Sequence, residues 1–129
     1  MRSVDTNVVV RFLTADDDEQ FQRAKQLFEA GDILILTSVL LEAEWVLRSN
    51  FRLGNAAIVH AFRELAGHDG VHVEDAARLL HALDLAEQGL DFADALHLAG
   101  SARCTDFVSF DRPLARRAAA LDTLPVVEP

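Results

Sequence analysis

Asp5, Glu42, Asp94 and Asp111 differ from the other carboxylates of the chain in what surrounds them. Asp5 follows Val4 and precedes Thr6, Asn7 and the run Val8-Val9-Val10. A carboxylate at the end of a buried strand is held rigidly and aimed out of the sheet, at the edge where open α/β sheets bind ligands. Asp111 comes just after Phe107-Val108-Ser109, another short strand-like run. Glu42 has Ser38 four residues before it, Trp45 three after and Val46 four after, so no cation of its own helix compensates it. An acid among apolar neighbours is costly unless something pairs with it; the alternative is a helix edge that reaches water. Asp91 is a natural helix cap. Capping explains Asp94 less well, because Ala93, Ala95, Leu96 and Leu98 surround it.

Carboxylates brought together repel, and their pKa values rise unless cations sit between them. An all-oxygen donor set suits Mg²⁺ or Mn²⁺, whereas zinc would want His or Cys. Two such ions about 3.5–4 Å apart activate a water and stabilise the leaving oxygen in phosphodiester hydrolysis. Thr6, Asn7 and Ser109 are small polar neighbours suited to orienting the aspartates or the water. Cys104 is the only cysteine, which excludes an intramolecular disulfide and a Cys-rich zinc site. His60 and His68 have no second His or Cys at ligand spacing.

The elements that must position these acids follow from periodicity. Arg2 to Val4 predicts a first strand. Asp16 with Glu19 resembles a capping box before Phe21, Ala24, Leu27 and Phe28, a helical stripe stopped by Gly31. The acidic run Asp16 to Glu19 reads as a solvated helix start without chemistry. Ile33 to Leu36 predicts a buried strand, and Ser38 is placed to cap a helix from about Val39 to Asn50. Within it, Glu44 and Arg48 form an acid-then-base pair of the ordinary surface kind. A helix over Ala56 to Ala66 and a strand over Val71 to Val73 come next. A helix capped by Asp75 and closed by Gly89 follows, with His81 on its wetter side. Then come the Asp91 helix, the Phe107 to Ser109 strand, a helix from about Leu114 to Ala120 and a last strand near Pro125 to Val127. Strands alternating with helices predict an α/β fold: a three-layer α/β/α arrangement with a central, mostly parallel sheet. On that topology the four acids, from distant parts of the chain, face one cleft.

Length bounds the rest. The 129 residues form one domain, 1–129, with enough apolar residues for a core. No apolar run is long enough to span a membrane, and no signal peptide precedes Asp5; the cytoplasm is the expected compartment. The net charge of −9, from 21 acids against 12 Lys and Arg, has two readings. Either the protein is an acidic one that does not attract nucleic acid, or some of its acids are metal ligands neutralised in use.

Four segments carry a family resemblance. Val4-Asp5-Thr6-Asn7 resembles the opening of PIN-domain nucleases. Val39-Leu40-Leu41-Glu42-Ala43-Glu44-Trp45-Val46-Leu47-Arg48 resembles their second acidic segment. Asp91-Phe92-Ala93-Asp94-Ala95-Leu96-His97-Leu98-Ala99 and Phe107-Val108-Ser109-Phe110-Asp111-Arg112 resemble the third and fourth. Order, spacing and length are similar to the compact VapC-like toxins of toxin–antitoxin pairs. The resemblance implies an Mg²⁺- or Mn²⁺-dependent endoribonuclease, inhibited by a small VapB-like antitoxin and acting as a homodimer. It implies that Asp5, Glu42, Asp94 and Asp111 are its acidic quartet. Glu44 is the alternative to Glu42, and Asp91 is either an auxiliary ligand or only a cap. Arg11, Arg48, Arg52, Arg112 and Arg116 are candidate RNA phosphate contacts, each with a bland alternative as surface charge. Two other classes compete. A haloacid-dehalogenase-like phosphatase or phosphotransferase also has an Asp after its first strand, but wants an acid where Asn7 stands. A non-catalytic acidic binding module would use the acids only as caps and surface charge.

Overall fold

The computed structural model describes residues 1–129 and divides into two compact units, Met1–Ala76 and Ala77–Pro129. The first unit contains β1 (Arg2–Ser3), α1 (Thr6–Thr14), α2 (Asp18–Ala30), β2 (Ile33–Ile35), α3 (Thr37–Ser49), α4 (Asn55–Ala66) and β3 (Val71–Val73). The second contains α5 (Ala76–Glu87, which begins at the boundary), α6 (Phe92–Gly100), β4 (Phe107–Val108), α7 (Arg112–Ala118) and β5 (Val126–Val127). The order of strands and helices is the one the periodicity predicts.

All strand pairs are parallel. In the first unit the order is β1-β2-β3, with Arg2 opposite Ile33 and Ile33 opposite Val71. In the second unit β4 pairs with β5, Phe107 opposite Val126. Parallel strands need crossovers, and the helices supply them. Ile33 and Ile35 are fully buried, as are Val9 of α1, Phe28 of α2 and Leu40 and Leu47 of α3. The core of the second unit contains Leu83, Leu85, Ala95 and Leu98. The strands are short, so their hydrogen bonds alone position little; the apolar faces of the helices carry most of the burial.

Two helix starts and one side chain within a helix depart from expectation. α2 is capped by Asp17, whose Oδ1 accepts from Gln20 N at 2.9 Å, and Asp16 is released from that duty. α3 begins at Thr37, and Ser38 makes no cap. Its first N–H is satisfied from a distance, because Thr37 N donates to Glu74 Oε1 at 2.9 Å. Glu74 follows directly on β3, and its own N–H donates to Ile35 O. One residue thus joins the ends of β2 and β3 to the start of α3. The helix after β3 carries His81 half-buried rather than on a wet face, with Nε2 3.2 Å from Asp122 O.

Candidate metal centre

Asp5 ends the first strand connection and caps α1. Its Oδ1 accepts from Thr6 N at 2.7 Å, and its carbonyl accepts from Val8 N. Thr6 is buried and Asp5 is exposed, so the cap fixes the carboxylate while leaving it open to solvent. The second carboxylate oxygen has no hydrogen-bond partner. Asp5, Asn7, Arg11, Asp16 and Glu42 line a cavity of about 390 Å³, with Val46, Asn50 and Phe51 on its α3 side. Thus α1 and α3 bring two of the sequence-expected acids, 37 positions apart, to one concave surface.

Of the two glutamates of α3, one departs from expectation. Glu44, expected at the surface, is buried at 6 % exposure and accepts from Arg48 Nε at 2.9 Å and Nη2 at 3.3 Å. Glu42 takes the helix-edge alternative: it is exposed on the cavity wall and makes no hydrogen bond or ion pair. The pairing of Glu44 with Arg48 is as expected; its burial is not. Glu44 is buried and paired, whereas both carboxylate oxygens of Glu42 are unengaged.

Asp16 belongs to the run expected as a solvated helix start. It stands instead in the same cavity wall, where it accepts from Thr14 Oγ1 at 2.8 Å and from Arg11 Nη1 at 3.3 Å. Sequence reasoning missed it because an acid two residues before a helix has the pattern of a cap. The cue was Arg11, five residues earlier.

The second unit holds its own acidic group. Asp91 caps α6, its Oδ2 accepting from Ala93 N at 3.2 Å. Asp111 caps α7, its Oδ1 accepting from Leu114 N at 3.0 Å, and Ser109 Oγ accepts from Asp111 N at 3.0 Å. Ser109 Oγ therefore anchors the backbone N–H of Asp111. Asp94 lies half-buried in the first turn of α6 and makes no hydrogen bond or ion pair. Burial pushes its carboxyl above the usual range, and the charges of Asp91 and then Asp111 push it further; His97 and Arg117 pull the other way. His97 and Arg117 were not among the expected site residues. His97 lies three residues after Asp94, the spacing that puts two side chains on one helix face, and Arg117 adjoins the Arg116 that was singled out.

Capping and metal binding are compatible here. Asp5, Asp91 and Asp111 each give one oxygen to a helix N–H and keep the other unengaged. Glu42 and Asp94 keep both. Three His, Cys, Asp or Glu side chains do not gather into a ready-made cage. Carboxylates with free oxygens are the donor type that suits Mg²⁺ or Mn²⁺, which bind through a few carboxylates and retain several waters. That donor type does not suit zinc.

The expected phosphate contacts divide. Arg48 is committed to Glu44, and Arg112 Nε donates to Glu128 Oε1 at 2.6 Å. Arg11 is held by Gln20 and Asp16 on the cavity wall. Arg52 and Arg116 are exposed, Arg52 with a left-handed φ of 53°.

No helix is long and apolar enough to cross a membrane. No curated protein matches the chain. Residues 3–120 match the PIN domain, a family typically of metal-dependent nucleases that bind RNA and whose α/β/α fold agrees with the parallel strand pairing seen here. The chain belongs to the PIN domain family.

Proposed function

We propose that this protein is an Mg²⁺- or Mn²⁺-dependent endoribonuclease, the toxin of a VapBC-type pair. The observation that carries the nuclease reading is the state of the carboxylates. Asp5, Glu42, Asp94 and Asp111 each keep at least one unengaged oxygen, while Glu44 and Asp16 beside two of them are paired. In this reading Asp5 of the first unit and Asp94 and Asp111 of the second are the residues that would hold the ion, with Asp91 as an auxiliary ligand. The bound ion supplies Lewis acidity, acidifying a water and offsetting charge on the phosphate. Glu42, exposed and unpaired on the cavity wall, would orient the attacking water and accept its proton as the water oxygen displaces the 3′-oxygen in line. The bond to the 3′-oxygen breaks, giving 5′-phosphate and 3′-hydroxyl ends without use of the RNA 2′-OH. Thr6, Asn7 and Ser109 keep the aspartates aimed.

The toxin reading adds a VapB-like antitoxin, a homodimer and a cytoplasmic setting. Leu41 and Trp45, one turn apart on α3, are exposed, and Phe110 beside Asp111 is 81 % exposed. Apolar residues left in water beside a reactive site suit an inhibitory protein partner.

The test is cleavage of a single-stranded RNA with Mg²⁺, with Mn²⁺ and with EDTA, followed by analysis of the ends. The expected result is metal-dependent cutting that leaves 5′-phosphates, with Asp5→Asn reducing the rate by about 100-fold or more at unchanged circular dichroism. Full activity in that variant overturns the scheme, and a phosphorylated enzyme would favour a phosphotransferase instead. A short reading frame beside this gene whose co-expressed product blocks the cleavage would be the antitoxin; the absence of any such frame overturns the toxin reading.

A further inference from the structure

A second cavity, of about 490 Å³, lies between α1 and α2. Its α1 wall is Asn7, Val8 and Arg11; its α2 wall includes Gln20, Arg23 and Leu27. Asn7 and Arg11 also line the cavity that holds Asp5 and Glu42, so the two hollows share a wall. Their linings differ. Asp5, Asp16 and Glu42 line the first together with Arg11, which is paired to Asp16, whereas the second has no acid and adds Arg23 beside apolar Val8 and Leu27.

The two arginines are prepared differently. Arg11 is fixed: its Nε donates to Gln20 Oε1 at 2.7 Å, and Nη1 faces Asp16 at 3.3 Å. Its Nη2 has no partner. Arg23 lies on the same face of α2 as Gln20 and Leu27, is exposed, and has no hydrogen bond or ion pair. In a chain with 21 acids, a cation left unpaired in a cavity is in search of an anion.

We propose that the α1–α2 groove seats the single RNA strand on one side of the bond that is cut. Arg11 and Arg23 each take a backbone phosphate there, and the Val8 and Leu27 surface takes the face of a base. This deepens the ribonuclease reading and rests on it. The acid cavity needs the scissile phosphate over its carboxylates, so the neighbouring phosphates of the same strand fall on its walls. Arg11, paired with Asp16, stands in the shared wall, and Arg23 adds an unpaired cation beyond it. Arg11 is the hinge of the arrangement, and Arg23 is the pure binding group, since it lies outside the acid cavity.

The experiment uses a fluorescent 20-nucleotide single-stranded RNA of mixed sequence with the full-length wild type, Arg23→Ala, Arg23→Glu and Arg23→Lys. Cleavage is followed with Mn²⁺, and binding by anisotropy in EDTA across a salt series. A phosphate contact outside the reacting centre acts on ground and transition states alike, so KM rises with kcat unchanged. Arg23→Ala is expected to raise KM about 5- to 10-fold, Arg23→Glu more, and Arg23→Lys little. The slope of log affinity against log salt falls by about 0.7 in Arg23→Ala, the loss of one single-strand phosphate contact. A wild type that cleaves while the Arg23 variants keep its KM and salt slope overturns the groove but leaves the nuclease. RNA binding that depends on Arg23 without cleavage overturns the nuclease and leaves the groove. Neither cleavage nor binding overturns both. Loss of a co-expressed protein partner from Arg23→Glu at unchanged KM assigns the groove to protein docking and overturns the proposal.

Discussion

Glu42 and Glu44 show how far a single residue can be read from sequence. Their spacing within α3 gives the faces they occupy relative to each other, and it correctly gives Glu44 its Arg48. It does not say which face packs. A helix apolar nearly all round offers several faces for burial, and the one chosen takes Glu44 inside with Arg48 lying over it, half-exposed. Glu42 is exposed, unpaired and on the Asp5 cavity wall, and the role proposed for it rests on that placement rather than on apolar surroundings. The two glutamates should separate cleanly. Glu42→Gln is expected to lower kcat/KM by about 100-fold or more with the melting temperature within a degree of wild type. Glu44→Gln removes the charge that compensates a partly desolvated guanidinium, costing about 1–3 kcal/mol. Its melting temperature should fall by several degrees, while activity measured well below melting is largely kept. The reverse pattern in calorimetry and kinetics would make Glu44 the functional acid.

At the scale of elements, the order of strands and helices was legible because periods of 2 and 3.6 are local properties. What was not legible depends on contacts far apart in sequence. The start of α3 is satisfied by Glu74, 37 residues away, and no local pattern near Ser38 announces it. Asp16 and Asp17 are equally good caps on paper; Arg11 and Thr14 draw Asp16 away and leave Asp17 to do it. The entry to the sheet is another long-range feature. Gly31 and Gly70, each with φ of 78°, meet backbone to backbone just before β2 and β3, where Ile33 N donates to Gly70 O. A Cβ on Gly70 would lie 2.7 Å from Gly31 Cα, a contact that no side-chain rotation relieves. Gly89, with φ of 110°, has nothing within 4 Å of such a Cβ and serves as the control for conformational strain alone. Gly89→Ala should cost about 1–2 kcal/mol, and Gly70→Ala about 2 kcal/mol more, in urea unfolding. Equal costs for the two would mean that the glycine contact does not set the sheet entry.

At the scale of the whole molecule, a net charge of −9 works against compactness, and it does so most where acids are left without partners. Asp94 is the clearest case, its charged form disfavoured by burial and by Asp91 and Asp111. Folding is therefore more favourable when that charge is removed, either by substitution or by a cation. The two remedies predict different thermal shifts. Asp94→Asn in EDTA should melt about 2 °C or more above wild type, since neutralising an unfavourable buried charge stabilises the fold. Wild type should gain more from Mn²⁺: an ion at 100 times its dissociation constant adds about 2.7 kcal/mol, on the order of 8–10 °C for a domain of this size. Asp94→Asn should lose most of that gain while starting higher, the usual opposition of stability and function at a charged site. NaCl at matched ionic strength separates site binding from screening. If NaCl raises the melting temperature as much as Mn²⁺ does, or if Asp94→Asn keeps the full Mn²⁺ shift, Asp94 is not a metal ligand. The surplus of acids would then be surface charge, as composition alone allows.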